Sequence, residues 1–172
     1  MEPKPNNLFS IRSYRPGDAA ACQNLYFEGL IGGRIAESDT AYDIHDIESA
    51  YMRDPGNHFW VAETPEGQVV GTIGVQQHDA GVGEVRRLRV DARYHRRGIG
   101  SALMETALRF CQERQYLKVK LDTFMDHEAA VRLFQKFRFL HDRTKTLGEK
   151  QLMYFYLDLY SRGGESLGEQ AS

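Results

Sequence analysis

Cysteine is scarce in this 172-residue sequence, and its histidines do not follow the spacing of a known catalytic or metal-binding motif. Its two cysteines, Cys22 and Cys111, lie far apart, form no C-x-x-C pair, and each falls within an apolar helical pattern. We therefore expect buried thiols rather than a disulfide or a catalytic cysteine. The six histidines show no H-E-x-x-H spacing, and no serine stands in G-x-S-x-G. Metal-hydrolase and serine-hydrolase functions have no support, and no metal is expected.

Long apolar runs and an excess of one charge are absent as well. No apolar run is long enough to cross a bilayer, and the first residues contain neither a secretory signal nor an arginine-rich transit pattern. We expect a cytoplasmic protein with no membrane partner. The net charge of -2 gives no general attraction to nucleic acid, so no nucleic-acid partner is expected, although residues 86–97 are locally basic.

The composition is that of an ordinary folded domain, with 41% hydrophobic and 27% charged residues and no internal repeat. The length suits one core and is short for two. We predict a single domain over residues 1–160. The remaining segment, 161–172, is rich in glycine and serine and has little to bury, so we predict a flexible tail.

One stretch, E-V-R-R-L-R-V-D-A-R-Y-H-R-R-G-I-G at 84–100, combines a strand pattern, a basic turn and a helix start. The first N–H groups of a helix have no partner inside it, so they can hold a phosphate. Gly98 and Gly100 permit close approach, and Arg93, Arg96 and Arg97 add donors. A surface helix start with solvated arginines is the plain alternative. Leu103 stands where a dinucleotide fingerprint needs its third glycine, which excludes that motif.

The periodicity of the chain predicts an α/β protein. A strand at 10–14 precedes helices from Asp18 to about Leu30 and over 39–52. Three antiparallel strands follow at 58–63, 68–75 and 84–90, with a glycine-rich turn at 78–83 between the last two. A helix from Gly98 then leads to a parallel strand at 117–123. A helix at 127–137 and strands at 139–144 and 150–159 complete the order.

This order resembles that of GNAT-type N-acetyltransferases over about residues 10–160. The segment I-R-S-Y-R-P-G-D at 11–18 is similar to the family's opening segment. The segments F-W-V-A-E at 59–63 and V-V-G at 69–71 are similar to its hairpin, and E-V-R-R-L-R-V is similar to its fourth strand. H-R-R-G-I-G at 95–100 stands in place of (Q/R)-x-x-G-x-(G/A), and A-V-R-L-F-Q-K-F-R-F at 130–139 in place of A-x-x-L-Y-x-K-x-G-F. The resemblance implies the GNAT fold, a mixed sheet of about seven strands with about four helices, splayed between strands 4 and 5.

Three positions depart from the family pattern. His95 replaces the usual Gln or Arg, which a turn that works through backbone N–H groups should tolerate. Phe134 stands where many members carry a tyrosine that protonates the departing thiolate, so that role has no residue here. Arg138 replaces a glycine before Phe139, which predicts an altered turn.

The resemblance implies acetyl-CoA as donor, with its pyrophosphate on the turn at 95–100 and its pantetheine arm along the strand at 84–90. If the parallel strands separate near Val90, the N–H of Val90 could polarise the thioester carbonyl. The residues that this placement assigns to the cofactor are Leu88, Arg89, Val90, His95, Arg96, Arg97, Gly98, Ile99, Gly100, Ser101, His127 and Phe134.

Glu84 matches the position of a glutamate base in some family members, and it could accept the amine proton directly or through water. The alternative is a strand-edge glutamate paired with Arg86 or another arginine. Tyr154 and Tyr156 share the polar side of the last strand, where a phenol could protonate the thiolate. Aromatic packing is the alternative for each.

In this family the first two helices and the last hairpin loop usually wall the acceptor site, here about 26–51 and 144–150. Arg34, Arg86 and Arg87 could pair with an acceptor carboxylate, and solvated or structural arginines are the alternative. We predict direct attack by the amine of a small molecule or amino acid in a ternary complex. A peptide N-terminus, a lysine, a non-catalytic acyl-CoA-binding module, nucleic-acid binding through the basic turn and a homodimer stay open.

Overall fold

The computed structural model of the protein describes residues 8–28 and 39–160. The predicted tail and Arg34 lie outside these ranges. The α-helices are α1 (Ala19–Glu28), α2 (Tyr42–His45), α3 (Ile99–Glu113) and α4 (Glu128–Lys136). The strands are β1 (Ser10–Ser13), β2 (His58–Glu63), β3 (Val69–Asp79), β4 (Val82–Val90), β5 (Lys118–Phe124), β6 (Leu140–Leu147) and β7 (Lys150–Asp158). None of the helices in the described ranges has the length and apolar character needed to span a bilayer.

The seven strands form one mixed sheet in the order β1-β2-β3-β4-β5-β7-β6. Every neighbouring pair is antiparallel except β4 and β5, which are parallel and joined through α3. A parallel pair needs such a crossover, whereas the antiparallel pairs β2–β3, β3–β4 and β6–β7 close with short turns. The predicted mixed sheet of about seven strands is confirmed.

The parallel ladder between β4 and β5 is short. It joins Val82 to Lys118, Gly83 to Val119 and Glu84 to Lys120, and it ends there. Both strands continue, β4 to Val90 and β5 to Phe124, so the two chains diverge. We call the space between residues 85–90 and 121–124 the β4–β5 gap. The predicted splay is therefore present, and it begins directly after Glu84.

Helices cover both faces of the sheet. On one face, the α3 face, Leu103 and Ile99 approach so closely that a Cβ at Gly71 would lie 3.0 Å from each. On the other, the α1 face, Gly74 lies beneath the ring of Tyr51, where an added Cβ would come within 2.7 Å. Helices α1 and α2 and the segment that follows them pack on this side. Glycine at these two positions of β3 lets helical side chains contact the strand closely.

Both cysteines are buried and free, as predicted from their apolar surroundings. Burial raises the pKa of each thiol to about 12, so neither is a thiolate at neutral pH.

The predicted helix over 39–52 is wrong in its continuity. The chain instead forms the short α2 after Ala41, whose φ of 53° is left-handed, and then a wide π-helical turn over Glu48–Met52. The hydroxyl of Tyr51 donates a hydrogen bond of 2.5 Å to the buried carboxylate of Asp43. This hydrogen bond holds the two ends of the segment together. Its backbone conformation is therefore not determined by the spacing of apolar residues along 39–52.

Two turns also differ from expectation. The turn predicted at 78–83 is shorter, because β3 continues to Asp79 and reverses at Gly81, whose φ is 71°. Arg138 takes a left-handed φ of 66°, and Phe139 N donates to the carbonyl of Phe134 at 3.0 Å. That is the backbone conformation a glycine would supply at a helix end, so the arginine does not alter the turn.

Candidate active site

A β-bulge in β4 organises the site. Gly74 of β3 pairs with Arg86, and Thr72 pairs with Arg89, so β4 carries one more residue than β3 between these pairs. Arg87 supplies the irregular conformation, with a φ of 58°. The Thr72 hydroxyl donates a hydrogen bond of 2.8 Å to the Arg87 carbonyl oxygen. The bulge is thus held by a buried side chain of the neighbouring strand.

Side chains alternate between the two faces along a strand. The additional residue at the bulge shifts this alternation by one position for the residues of β4 that follow it. Before it, Glu84 and Arg86 lie on the α1 face. After it, Leu88 and Val90 pack against the core on the α3 face, while Arg89 turns to the α1 face. Glu84, Arg86 and Arg89 therefore share one side of the sheet along the β4–β5 gap.

Arg87 is bound by two aspartates. Its guanidinium donates to both oxygens of Asp43, at 2.9 Å and 2.6 Å, and to both oxygens of Asp39, at 2.5 Å and 3.0 Å. Burial alone would raise the pKa of Asp43, but the hydrogen bonds from Arg87 and Tyr51 outweigh it and lower that pKa below its usual value. Of the two alternatives for Arg87, the structure favours the structural arginine, because four of its five N–H donors already bond the two aspartates.

Glu84 lies where the β4–β5 ladder ends, partly exposed. One carboxylate oxygen is 3.2 Å from Nδ1 of His78, and the other is 3.8 Å from Nε of Arg86. The stronger contact of Arg86 is the hydrogen bond that its Nη1 donates to Gln76, at 2.7 Å. The predicted pairing of Glu84 with Arg86 is thus present but long, and Glu84 keeps access to the gap.

Asp122 is a second carboxylate beside the gap, which the sequence interpretation missed. It lies on β5 two residues beyond Lys120, the partner of Glu84, and it pairs with Tyr154 of β7. The residue is exposed to solvent, yet burial of its carboxylate among neighbouring atoms and the negative charge of Glu84 raise the pKa of Asp122. Its place on the polar side of the alternating strand L-K-V-K-L-D-T was the signal available in the sequence.

Tyr154 and Tyr156 lie beside β5 on the α1 face, paired with Asp122 and Lys120. Both rings are partly exposed, and each makes a cation–π contact. The Arg143 guanidinium lies 4.5 Å from the ring centroid of Tyr154, and the Lys118 ammonium lies 5.1 Å from the ring centroid of Tyr156. The two tyrosines therefore share a sheet face with Glu84. Their role as acids stays a prediction.

The basic turn has the geometry of an anion site. Gly98 precedes α3 with a φ of 82°, and the first intrahelical hydrogen bond runs from Ala102 N to the Gly98 carbonyl. The N–H groups of Ile99, Gly100 and Ser101 thus have no bond inside the helix. The Ile99 side chain is buried in the core, so only its backbone can serve a ligand.

Side chains around this turn have distinct placements. Nε2 of His95 donates to the Val90 carbonyl oxygen at 2.9 Å, which fixes the turn against the end of β4. Arg96 and Arg97 are exposed, and Arg97 lies over the ring of Tyr94. The Ser101 hydroxyl accepts a hydrogen bond of 3.0 Å from Lys136 of α4. These contacts leave the backbone donors at the start of α3 accessible.

The N–H of Val90 is directed toward the gap. Asp91 N donates to the Val70 carbonyl at 2.8 Å, which makes Gly71 and Val90 a non-hydrogen-bonded pair of the β3–β4 ladder. In such a pair the N–H groups point away from the partner strand. Val90 N–H therefore faces the side of β5, as the predicted oxyanion donor requires.

His127 and Phe134 lie on the far side of the gap. Nδ1 of His127 is 3.2 Å from the Thr123 hydroxyl, and burial lowers the pKa of its imidazole. Phe134 is 4% exposed and packs on Phe139 and Phe155 within the core. Phe134 has no proton to give, and its ring belongs mainly to the core rather than to a ligand surface.

Arg89 is placed differently from the other predicted cofactor residues. Its guanidinium lies on the α1 face, 5.7 Å from the ring centroid of Tyr26 in α1. The anion turn continues into α3, which packs on the opposite face. The prediction that the Arg89 side chain contacts the cofactor is therefore not supported, and only its backbone lies along the strand edge.

A model of the family described as "Acetyltransferase (GNAT) family" matches residues 21–139. The N-acetylaspartate synthetase of Xenopus tropicalis is 38% identical over 100 residues, which is 58% of this chain and 36% of that protein. Human N-acetyltransferase 8 is 36% identical over 102 residues, 56% of this chain and 44% of that protein. The chain thus spans less than half the length of these curated relatives.

Solved structures share the fold. A GNAT-family acetyltransferase from Staphylococcus aureus Mu50 has a TM-score of 0.77 at 20% identity, covering 88% of this chain and 99% of that one. Ard1 from Thermoplasma volcanium has a TM-score of 0.72 at 24% identity, covering 90% and 99%. The family model extends over most of the chain and agrees with the seven-stranded sheet and its parallel β4–β5 pair. This chain belongs to the GNAT acetyltransferase family.

Proposed function

We propose that the protein transfers the acetyl group of acetyl-CoA to the primary amine of a small molecule or amino acid, by direct attack in a ternary complex. The observation that carries this proposal is the β4–β5 gap, which opens after Glu84 and has the start of α3 beside its far end. An anchor for a diphosphate and a carboxylate for the amine proton thus border one opening.

The residues present fit the cofactor. The backbone N–H groups at the start of α3 and the helix dipole favour an anion there, and Arg96 and Arg97 are close in sequence and exposed. Bound acetyl-CoA supplies a thioester. The Val90 N–H, directed toward the gap, would stabilise negative charge on the carbonyl oxygen of that thioester.

An amine acceptor must lose a proton. With a reference pKa of about 10.4, a lysine-like amine is mostly protonated at neutral pH. We assign the proton to Glu84, directly or through water, with Asp122 across the gap as the second candidate. The amine nitrogen then bonds to the acetyl carbon, the carbon–sulfur bond breaks, and the electron pair leaves on sulfur. A thiol of pKa about 8.5 is a fair leaving group, so Phe134 does not prevent the reaction, and Tyr154 or Tyr156 could protonate the thiolate.

The relatives support a small acceptor. One of them is named an N-acetylaspartate synthetase, which describes a product with an amino-acid skeleton. The cations Arg86 and Arg89 on the acceptor side suit a carboxylate better than they suit a lysine side chain.

Release of the CoA thiol, measured with acetyl-CoA and a panel of amino acids, polyamines and peptides with free N-termini, tests this function. We expect turnover with at least one small amine and little with peptides. Turnover with peptides alone would move the assignment to a peptide N-terminus or lysine.

Phe134 favours a second candidate, a non-catalytic acyl-CoA-binding module. Tight CoA binding without turnover on any amine of the panel would support that function and overturn the enzymatic one. Salt-dependent binding to nucleic acid that CoA does not displace would instead assign the basic turn to nucleic acid.

A further inference from the structure

We infer that Arg89 binds a carboxylate of the acceptor, so that the substrate is an amino acid or another amine with a carboxylate near its nitrogen. This inference rests on the proposed function and specifies its acceptor. It assigns the role to a residue that the sequence had placed with the cofactor.

Three buried side-chain polar atoms in the described ranges have no hydrogen-bond partner. Over residues 8–28 and 39–160 they are the Tyr26 hydroxyl, Nε of Arg89 and Nε2 of His127. These atoms come from α1, from β4 and from the turn before α4, so they are far apart in sequence. Arg89 lies over the ring of Tyr26, and its positive charge contributes, after burial, to the lowered pKa of His127. The Tyr26 hydroxyl lies near Asp39, which contributes to raising its pKa, without a hydrogen bond of normal geometry.

Buried polar groups in proteins are normally paired, because leaving one unpaired costs about 1–3 kcal/mol and a charged group costs more. The unpaired Nε of Arg89, on the strand that borders the gap, therefore indicates a site that a polar ligand completes. The positive charge of Arg89 favours a ligand with negative charge.

Arg89 differs from its neighbours on β4 in having no anionic partner. Arg87 is bound by two aspartates, and Arg86 contacts Gln76 and Glu84. Among the described residues, Arg89 makes one hydrogen bond, to the adjacent Leu88 carbonyl at 2.9 Å, and no carboxylate lies within ion-pair distance. Burial, together with the positive charge of Arg87, lowers the pKa of Arg89 to about 10. The guanidinium stays charged at neutral pH, and a ligand carboxylate would relieve the cost of burying it.

An acceptor whose carboxylate contacts Arg89 could place its amine near Glu84 and Asp122, the two candidate proton acceptors. Glu84 pairs with Gln76 and Arg89 with Thr72, so their Cα atoms are about 13 Å apart along β3. Both side chains extend on the α1 face, with Asp122 across the gap between their levels. The remaining distance is that of a small molecule. A phosphate of the cofactor is a poorer partner, because its anchor at Gly98 lies by the helix on the opposite face.

The test compares amino acids with their own α-amides, which keep the amine and remove the carboxylate. Glycine, L-alanine, L-aspartate and L-phenylalanine serve as acids. The wild-type protein should acetylate the best acid at least about 10-fold more efficiently than its amide. In Arg89→Gln this preference should fall about 10- to 100-fold through KM, the range of a charge-assisted hydrogen bond, with the amide rate and CoA affinity unchanged. Arg89→Lys should retain part of the preference, and Arg109→Gln, an exposed arginine of α3, should retain all of it.

A structural role predicts another pattern. If Arg89 only supported the fold, Arg89→Gln would lower the stability of the protein and reduce the acetylation of acids and of amides equally. That result would overturn the inference. We expect its thermal midpoint to equal or exceed that of the wild type, because an unpaired buried charge is removed. Weakened CoA binding in Arg89→Gln, or no preference for acids in the wild type, would also overturn it.

Failure of the proposed function is separable. If no amine supports thiol release, the acids and amides are compared by their stabilisation of the CoA-saturated protein. A shift of the thermal midpoint that requires the carboxylate and disappears in Arg89→Gln would uphold the Arg89 site without catalysis. No such shift in the wild type would reject the site as well.

Discussion

Arg87 and Asp43 form a buried ion pair with two hydrogen bonds, Nε to Oδ2 at 2.9 Å and Nη2 to Oδ1 at 2.6 Å. Asp43 is fully buried, and the Arg87 side chain is 7% exposed. The pair joins the bulge of β4 to the short helix α2, two segments 44 residues apart. It thereby fixes α2 relative to the strand that borders the β4–β5 gap.

Asp43→Asn should lower the free energy of unfolding by about 3 kcal/mol at pH 7, because it leaves a buried guanidinium with one carboxylate partner, Asp39. The pKa of Asp43 is lowered in the folded protein, so its contribution is present above the unfolded pKa near 3.9 and is lost as pH falls. Urea denaturation from pH 7 to pH 3 should show the difference between variant and wild type shrink in acid. Asp142→Asn on the exposed strand β6 is the control, and equal losses in both variants would contradict a special role for Asp43.

Glu84→Gln should reduce kcat by about 100-fold or more while the KM for acetyl-CoA changes little, since the amide cannot accept the amine proton. The deficit should shrink as pH approaches the amine pKa, where the acceptor loses its proton without help. Steady-state kinetics from pH 7 to pH 10 measure this, with Glu105→Gln on the exposed side of α3 as control. Should Glu84→Gln stay active while Asp122→Asn does not, the base is Asp122.

Asp122→Asn should stabilise the protein at pH 7, by less than about 1 kcal/mol because the residue is exposed. Its pKa is raised in the folded state, so the charged form is the disfavoured one. The advantage of the variant should vanish as pH falls through the unfolded pKa, the reverse of the trend for Asp43. Thermal unfolding at pH 7 and pH 4 provides the comparison. A variant less stable than the wild type at pH 7 would show that Asp122 is paired.

Gly98→Ala and Gly100→Ala should have opposite effects on stability. A Cβ at Gly98 meets no atom within 4 Å, so its cost is the left-handed φ of 82°, about 1–2 kcal/mol. At Gly100 the Cβ would make an ordinary contact of 3.5 Å with Leu133, and alanine in a helix gains about 0.5–1 kcal/mol over glycine. Chemical denaturation measures both, and calorimetry with CoA should show weaker binding in Gly98→Ala. Equal stability of the two variants would mean that the turn relaxes around the new side chain.

The order of the elements could be predicted because each carries its own period. Residues 99–111 repeat at three and four, and 117–123 alternate, so α3 and β5 follow from local sequence alone. The anion turn is equally local, since Gly98 and the helix that follows it define the backbone donors.

The contacts that shape residues 39–52 and orient Arg89 could not be predicted in this way. The shape of 39–52 depends on Asp43 meeting Arg87 and Tyr51, and nothing within that segment identifies the distant arginine as its partner. The side of the sheet that Arg89 faces depends on a bulge whose bracing residue, Thr72, lies in another strand. Regular alternation along 84–90 would have directed the side chain of Arg89 to the opposite face of the sheet.

The additional residue in β4 decides which side chains of this strand reach the interior of the protein. If all residues of 84–90 paired regularly with β3, Leu88 and Val90 would leave the core and the guanidinium of Arg89 would enter it. Deletion of one residue at the bulge would instead leave these three side chains on their present faces and remove only the irregular pairing. The core packing and the proposed acceptor contact of Arg89 therefore both require that seven residues of β4 occupy the length of six residues of β3.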